Sequence, residues 1–518
     1  MMIESTAAYR DSLRAFKPRV FVNGALVTSV ADEPSLQPGI NAIGVTYDLA
    51  ADPKMAPLMT AVERQSGKVV NRNLHIDRTT DDLLAKLEAV RIMCREAGCA
   101  QRYLVHDAFN GLYQATQRCD AEHGTDYFAR FLDFMAEVQD GDQTYGVAMT
   151  DAKGDRSQKP HQQAVKDTYV HVVENRPDGI VISGTKAIVT GAPYVHGFIV
   201  MPCRAMTKED AAFAVCCSIP VDAEGITIVA RPAGRPGEEA AVFSKRYGQT
   251  TGVVIFDNVF VPHDRIFLNG ETEHAGDIAQ TYATHHRQSC IGARAGFGDL
   301  LIGASALMIE ANGLDPEHHT HLRDDMVELI KIVEGFYATG VAASAYGVED
   351  GSGNIMPEPV FSNIGKLLLA TQIYDMHRLA HTVSGGLIVA LPTPDEDHNP
   401  ETAGSLDAVL QGNPNVPTEY RKQTARLVED LTASHQGGWY SVISLHGGGS
   451  PAAMKREIWR QYPVAEKKEI VQQLMDRDLL ERKDGKQTDR QPGRCCTVGC
   501  RVPDFLLGDS SDKEATTS

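Results

Sequence analysis

The chain has 518 residues, of which 42% are apolar and 23% charged, the balance of a globular protein and not of a disordered one. That length exceeds one ordinary core and predicts two or three lobes. A formal charge of −18 argues against a nucleic-acid partner, whose binding draws on clustered Lys and Arg. No uninterrupted apolar run approaches the roughly 18 to 20 residues needed to cross a bilayer.

Residues 1–140 read as a helical domain. The segment Asp81–Met93 has apolar residues at helical spacing behind an acidic start after Thr79 and Thr80, and residues 126–138 repeat the pattern. From 141 to 274 the texture changes to short β-branched runs, of which 169–173, 180–182, 198–201, 226–229 and 253–256 are clearest, separated by Gly, Pro and Asp-Gly turns. This is a middle β domain. No Gly-x-Gly-x-x-Gly follows a strand, so an NAD-binding Rossmann unit is not expected. Residues 275–480 turn helical again, with amphipathic candidates at 295–311, 322–347, 360–382, 417–434 and 464–480 that need one another as partners in a bundle. A polar tail follows over 481–518, carrying Cys495, Cys496 and Cys500. Three cysteines without a second pair at ribbon spacing fall short of a zinc site. The N-terminus lacks an export signal, so a cytoplasmic protein with reduced thiols is expected.

Three segments offer groups able to hold a ring cofactor or a phosphate, although each taken alone also reads as a polar turn, an edge strand or a flexible loop. Tyr145–Ser157 includes Met149, Thr150, Asp155, Arg156 and Ser157, which offer backbone amides, small hydroxyls and a guanidinium fork for a pyrophosphate. By itself it also reads as a polar turn. Ser183–Ala192 includes Thr185 and Thr190, with Gly191 letting backbone approach a ring closely. Gly447, Gly448, Gly449 and Ser450 present consecutive N–H groups able to cradle a phosphate.

Two further segments carry a resemblance. Cys99-Ala-Gln-Arg-Tyr103 with Asp107-Ala-Phe-Asn110, and His285-His286-Arg287-Gln288-Ser289-Cys290-Ile291-Gly292-Ala293, resemble the active-site segments of 4-hydroxybutyryl-CoA dehydratases, within the 4-hydroxyphenylacetate 3-hydroxylase family. The resemblance spans about residues 5–480 and implies an acyl-CoA dehydrogenase-like α+β fold: N-terminal helices, a middle β-barrel-like domain and a C-terminal helix bundle. It also implies FAD and, from the glycine loop, an oligomer, a homotetramer built as a dimer of dimers. In the dehydratases a Cys-x3-Cys pair and a His-x6-Cys pair hold an iron–sulfur cluster. Here those positions read Cys99, Tyr103, His286 and Ala293, so two of three thiolates are missing and no [4Fe-4S] cluster is expected. Cys94, Cys99, His286 and Cys290 remain as residual candidate ligands, with Cys290 read first as an ordinary buried thiol.

Other positions depart from both branches. Cys290 stands where the dehydratases carry tyrosine and Arg294 where they carry lysine. No acidic residue in Tyr440–Leu445 matches their active-site glutamate. The hydroxylases place an Arg, a Tyr and a His around a phenol. Arg102 and Tyr103 offer two of these, and His286 has to replace a histidine that falls near Val147. The expectation is an FAD-dependent oxidoreductase, a reduced-flavin monooxygenase of a phenolic or related small substrate, with Tyr103 and His286 handling the substrate hydroxyl and Arg102 or Arg287 holding charge. A separate flavin reductase is its expected partner. The alternatives are a flavin-dependent acyl-CoA dehydratase, isomerase or dehydrogenase, and a flavin-binding subunit that has lost catalysis.

Overall fold

The computed structural model describes residues 2–234 and 241–484, and the tail cysteines lie outside the described residues. The N-terminal part runs α1 (Thr6–Leu13), β1 (Val20–Val22), β2 (Ala25–Leu26), α2 (Gln37–Ala51), α3 (Ala56–Met59), β3 (Thr60–Val62), β4 (Val69–Asn71), α4 (Thr80–Ala97), α5 (Tyr103–His123) and α6 (Tyr127–Asp140). Thr79 caps α4 reciprocally with Asp82, as its acidic start predicts. Gly98 ends it at a positive φ of 67°, where a side chain would be strained and would strike the Tyr440 hydroxyl. The chain then turns through Cys99 before α5 begins at Tyr103. The two residues therefore do not share a helix, although their side chains still meet.

The middle part contains β5 (Tyr145–Ala148), β6 (His171–Arg176), β7 (Gly179–Thr190), β8 (Gly197–Val200), β9 (Val215–Pro220), β10 (Ile226–Arg231), β11 (Thr251–Pro262) and β12 (Ile266–Asn269). They form two open sheets, ordered β2-β1-β10-β11-β7-β6 and β12-β9-β8-β5. Neither closes, which corrects the barrel-like expectation. The N-terminal part is not purely helical either, since β1 pairs in parallel with β10, Val20 opposite Ile228.

The C-terminal part begins with α7 (Thr272–Ala311), followed by α8 (Thr320–Ala345), α9 (Pro359–Ser384), α10 (Ala403–Val409), α11 (Thr418–Thr432), α12 (His435–His446), α13 (Pro451–Gln461) and α14 (Val464–Asp484). The helix expected at 295–311 is the second half of α7. This 40-residue helix has the length and apolarity of a bilayer span, with a window of mean hydropathy 1.2, but 61% of that window is buried in the protein. It packs on α4, α5, α8 and α9 as the central rod of the bundle. Gly292 and Gly296 allow that approach: an added Cβ would stand 2.6 Å from the Leu87 carbonyl and 2.2 Å from that of Arg91. One core joins the N-terminal helices to the sheets and a second fills the bundle, and the start of α5 lies at their seam.

Candidate functional site

At that seam lies a cavity of about 1140 Å³, larger than an ordinary small-ligand pocket and bounded by all three parts of the chain. The loop after β5, the end of β7, the start of α5, the middle of α7, α9 and the glycine loop between α12 and α13 line it. Met149, Thr150, Arg156, Thr190 and the Gly447–Ser450 loop all face it. Asp155, Ser157 and Thr185 are outside its lining: Asp155 accepts hydrogen bonds from the N–H and hydroxyl of Ser157 at 2.9 and 2.7 Å, and the Thr185 carbonyl accepts from Ala152 N–H at 3.3 Å. Gly448 and Gly449 have φ of 72° and 106°, a conformation that favours glycine and lets the loop run over His286 and Arg287. The Arg287 Nε donates to the Gly448 carbonyl at 2.9 Å, tying this loop to α7 of its own chain.

The catalytic candidates divide. Tyr103 is 4% exposed, lines the cavity and stacks on His286 with ring centroids 6.1 Å apart; Tyr282 stacks on the other side at 5.3 Å. Burial pushes the Tyr103 hydroxyl well up, and it stands 3.5 Å from the Cys99 sulfur. Arg102 is not at the site. It faces the opposite side of the turn, paired with Asp142 and lying over the Tyr47 ring at 4.1 Å, in the core. A residue at the first turn of a helix points away from its neighbour, so adjacency in sequence misplaced its charge.

Around His286 the structure builds more than motif spelling revealed. Its Nδ1 meets an Asp107 oxygen at 2.9 Å, and its Nε2 lies 3.5 Å from the Cys290 sulfur. Asp107 is fully buried, and its other oxygen takes Lys86 Nζ at 2.8 Å and the Ser289 hydroxyl at 2.6 Å. Burial alone would raise the Asp107 carboxyl, but Lys86, His106 and His286 outweigh it and hold it well below the usual range. Burial disfavours a His286 cation, yet Cys290 and Asp107 together raise it to about 9. For Cys290 the order is the same: burial resists the thiolate, and His286, Lys366 and Arg294 bring the thiol down. Asp107, His286 and Cys290 thus form a carboxylate–imidazole–thiol row whose thiol faces the cavity.

A second feature is positive charge. Arg287, Arg294 and Lys366 all face the cavity. Lys366 donates to the Ser444 carbonyl at 2.5 Å, and burial, with Arg294 and Arg287 nearby, brings it down to about 8 against the pull of Cys290. Arg294 is 5% exposed and its Nη1 has no hydrogen-bond partner. A buried cation without a carboxylate partner is costly, which marks this wall for an anionic oxygen. Cys99 also faces the cavity, its thiol lowered to about 6 by a hydrogen bond from Cys94 and by Arg294. Among the described residues Cys99, His286 and Cys290 do not gather as a single-ion site, and the Tyr103 hydroxyl lies 3.5 Å from the Cys99 sulfur and its ring stacks on His286. Lys86 and Lys366 were not singled out by sequence reasoning, and Asp107 and Arg294 entered it only as motif positions without an assigned role. The signal was a lone Lys inside Asn363-Ile-Gly-Lys-Leu-Leu-Leu, too apolar a stretch for a surface lysine.

Models of the 4-hydroxyphenylacetate 3-hydroxylase N-terminal and C-terminal domains match residues 5–268 and 275–476. The chain is 35% identical over 489 residues to a 4-hydroxybutyryl-CoA dehydratase/vinylacetyl-CoA-Delta-isomerase of Clostridium aminobutyricum, covering 91% of this chain and 99% of that protein. It is 23% identical over 92% of its length to the oxygenase component of 4-hydroxyphenylacetate 3-monooxygenase of Thermus thermophilus, 98% of which is covered. Among solved structures, an oxygen-tolerant archaeal 4-hydroxybutyryl-CoA dehydratase from N. maritimus superposes with a TM-score of 0.88 at 33% identity, covering 96% of this chain and 98% of that one. The oxygenase component of 4-hydroxyphenylacetate 3-monooxygenase complexed with FAD superposes with a TM-score of 0.83 at 20% identity, covering 92% and 100%.

Proposed function

Because the chain belongs to the 4-hydroxyphenylacetate 3-hydroxylase family of flavin enzymes, we propose that it is an FAD-dependent oxidoreductase without an iron–sulfur cluster, acting as a monooxygenase on a small phenol-like substrate. The single observation that carries this is the corner where the dehydratases hold their cluster: a tyrosine hydroxyl and an imidazole face the cavity there, and Tyr103 and Ala293 stand in place of two thiolates. The residues present fit FAD. Arg156 and the Gly447–Ser450 loop suit a pyrophosphate, the Met149–Thr150 and Thr190 backbone suits a ring edge, and the cavity has room for a dinucleotide beside a small substrate. When bound, FAD supplies the two-electron chemistry.

The chain's own groups supply binding and proton transfer. Tyr103 and His286 bracket a substrate hydroxyl. Asp107 and Cys290 hold His286 as an imidazolium that donates to the substrate oxygen, and the lowered Cys290 thiol, as thiolate, is the group that takes the hydroxyl proton. Arg294 and Lys366 stabilise the resulting oxyanion in a site that water does not reach freely. A separate flavin reductase and a homotetramer fit this reading. Oxygen uptake by the FAD-loaded protein with supplied FADH2 and a panel of phenols tests it. Hydroxylated product is expected, and a complete absence of oxygenated product overturns it.

A second reading is favoured by the 35% identity across nearly the whole length of the Clostridium protein: chemistry on a CoA thioester. The same cationic wall can hold an enolate oxygen, with Cys290 and His286 as the base pair. Perturbation of the flavin spectrum by acyl-CoA esters, and their turnover without oxygen, would favour it.

A further inference from the structure

We propose that Glu122, His123 and His274 bind a divalent transition-metal cation of the zinc class, with Glu273 alongside as a fourth ligand. The site lies where the end of α5 meets the start of α7. One ligand atom from each of the three residues falls within 4.8 Å of the others. His123 Nε2 stands 3.1 Å from a Glu273 oxygen, His274 Nε2 stands 3.1 Å from a Glu122 oxygen, and the two imidazoles cross at 80° with centroids 5.2 Å apart.

The second observation is the state of His274. It is 6% exposed, and its Nε2 is buried without a hydrogen bond although a carboxylate oxygen stands within reach. The Glu122 oxygen 3.1 Å away lies out of hydrogen-bond alignment with this nitrogen, which is how two ligands of one cation stand to each other. Two imidazoles with one or two carboxylates suit zinc far better than calcium or magnesium, which prefer all-oxygen shells. Two carboxylates also balance a divalent charge.

The consequence follows from which helices are joined. The α5 helix carries Tyr103 and Asp107 at its start, and α7 carries His286, Cys290 and Arg294 further along. Their alignment sets the Tyr103–His286 stack and the Asp107–His286 contact. Glu273 also lines the cavity mouth. A cation at this crossing clamps the end of α5 to the start of α7 and fixes Glu273 on the cavity wall. The competing account is a pair of His–Glu ion pairs with no metal.

Equilibrium dialysis of the FAD-loaded full chain against zinc, beside the His123→Ala variant, separates the two. His123 is exposed, so the variant keeps the fold, and the tail cysteines are common to both proteins and cancel. The expected result is about one equivalent more zinc on the native chain, with a zinc-dependent rise in melting temperature that the variant lacks. Equal zinc and equal melting shifts in the two proteins overturn the proposal.

Discussion

His286 has a different group on each ring nitrogen, and that arrangement accounts for most of the site's chemistry. Asp107 fixes one face of the imidazole and Cys290 meets the other. His286→Asn keeps the size but removes the basic nitrogen, so turnover should fall by about 10²–10⁴ while FAD content stays unchanged. Turnover within twofold of the native chain would remove His286 from the proton path. Asp107→Asn acts differently, because it leaves Lys86 as an unpaired buried cation. Its expected cost is about 3–5 kcal/mol in denaturant unfolding, beyond any loss of activity. At this scale Tyr103 and His286 were legible from the family resemblance of the segments that carry them. Arg102 was not, because its direction depends on where α5 begins. Lys366 was hidden because a charge in an apolar helix shows its meaning only once the neighbouring helices surround it.

Between elements the decisive contact is α4 against α7, made through Gly292 and Gly296. On an exposed helix Gly→Ala gains about 1 kcal/mol. At Gly296 the new methyl meets the Arg91 carbonyl, so Gly296→Ala should instead destabilise by about 1–3 kcal/mol and loosen the site, measured by denaturant melts. A stabilised variant would mean the helices stand further apart. Helix periodicity revealed α4, α8, α9 and α11 because each buries one face, whereas α14, also expected, leaves Ile470, Val471, Leu474 and Met475 exposed. Strands β5, β9 and β12 escaped because they are short and buried on both sides, with no alternation to read. The parallel pairing of β1 with β10 joins residues about two hundred positions apart, and no local pattern encodes it.

Over the whole molecule, two histidines buried away from the site set a pH limit. Burial lowers His196 and His377 to about 4 each, below the ordinary histidine range. Both are kept neutral in the fold and charge readily in the unfolded chain. Their contribution is complete above about pH 6.5 and is lost as pH falls toward 4, on the order of 3 kcal/mol for each group. Melting temperature should therefore drop across that window, and His196→Asn should flatten part of the slope. A profile flat from pH 7 to 4 would contradict the assignment. The order of helices, sheets and bundle was readable at this scale, and the loop after β5, the end of β7 and the glycine loop expected to meet a flavin do line one cavity. The open sheets and the cationic wall came only from the packed chain.

The central claim is that the flavin cavity is retained while the cluster corner is rebuilt around Tyr103, His286 and Cys290. Flavin, iron and acid-labile sulfide counted on the same anaerobically purified protein test it most directly. The account predicts about one FAD per chain with neither iron nor sulfide above background. Iron and sulfide in stoichiometric amounts beside the flavin would contradict it.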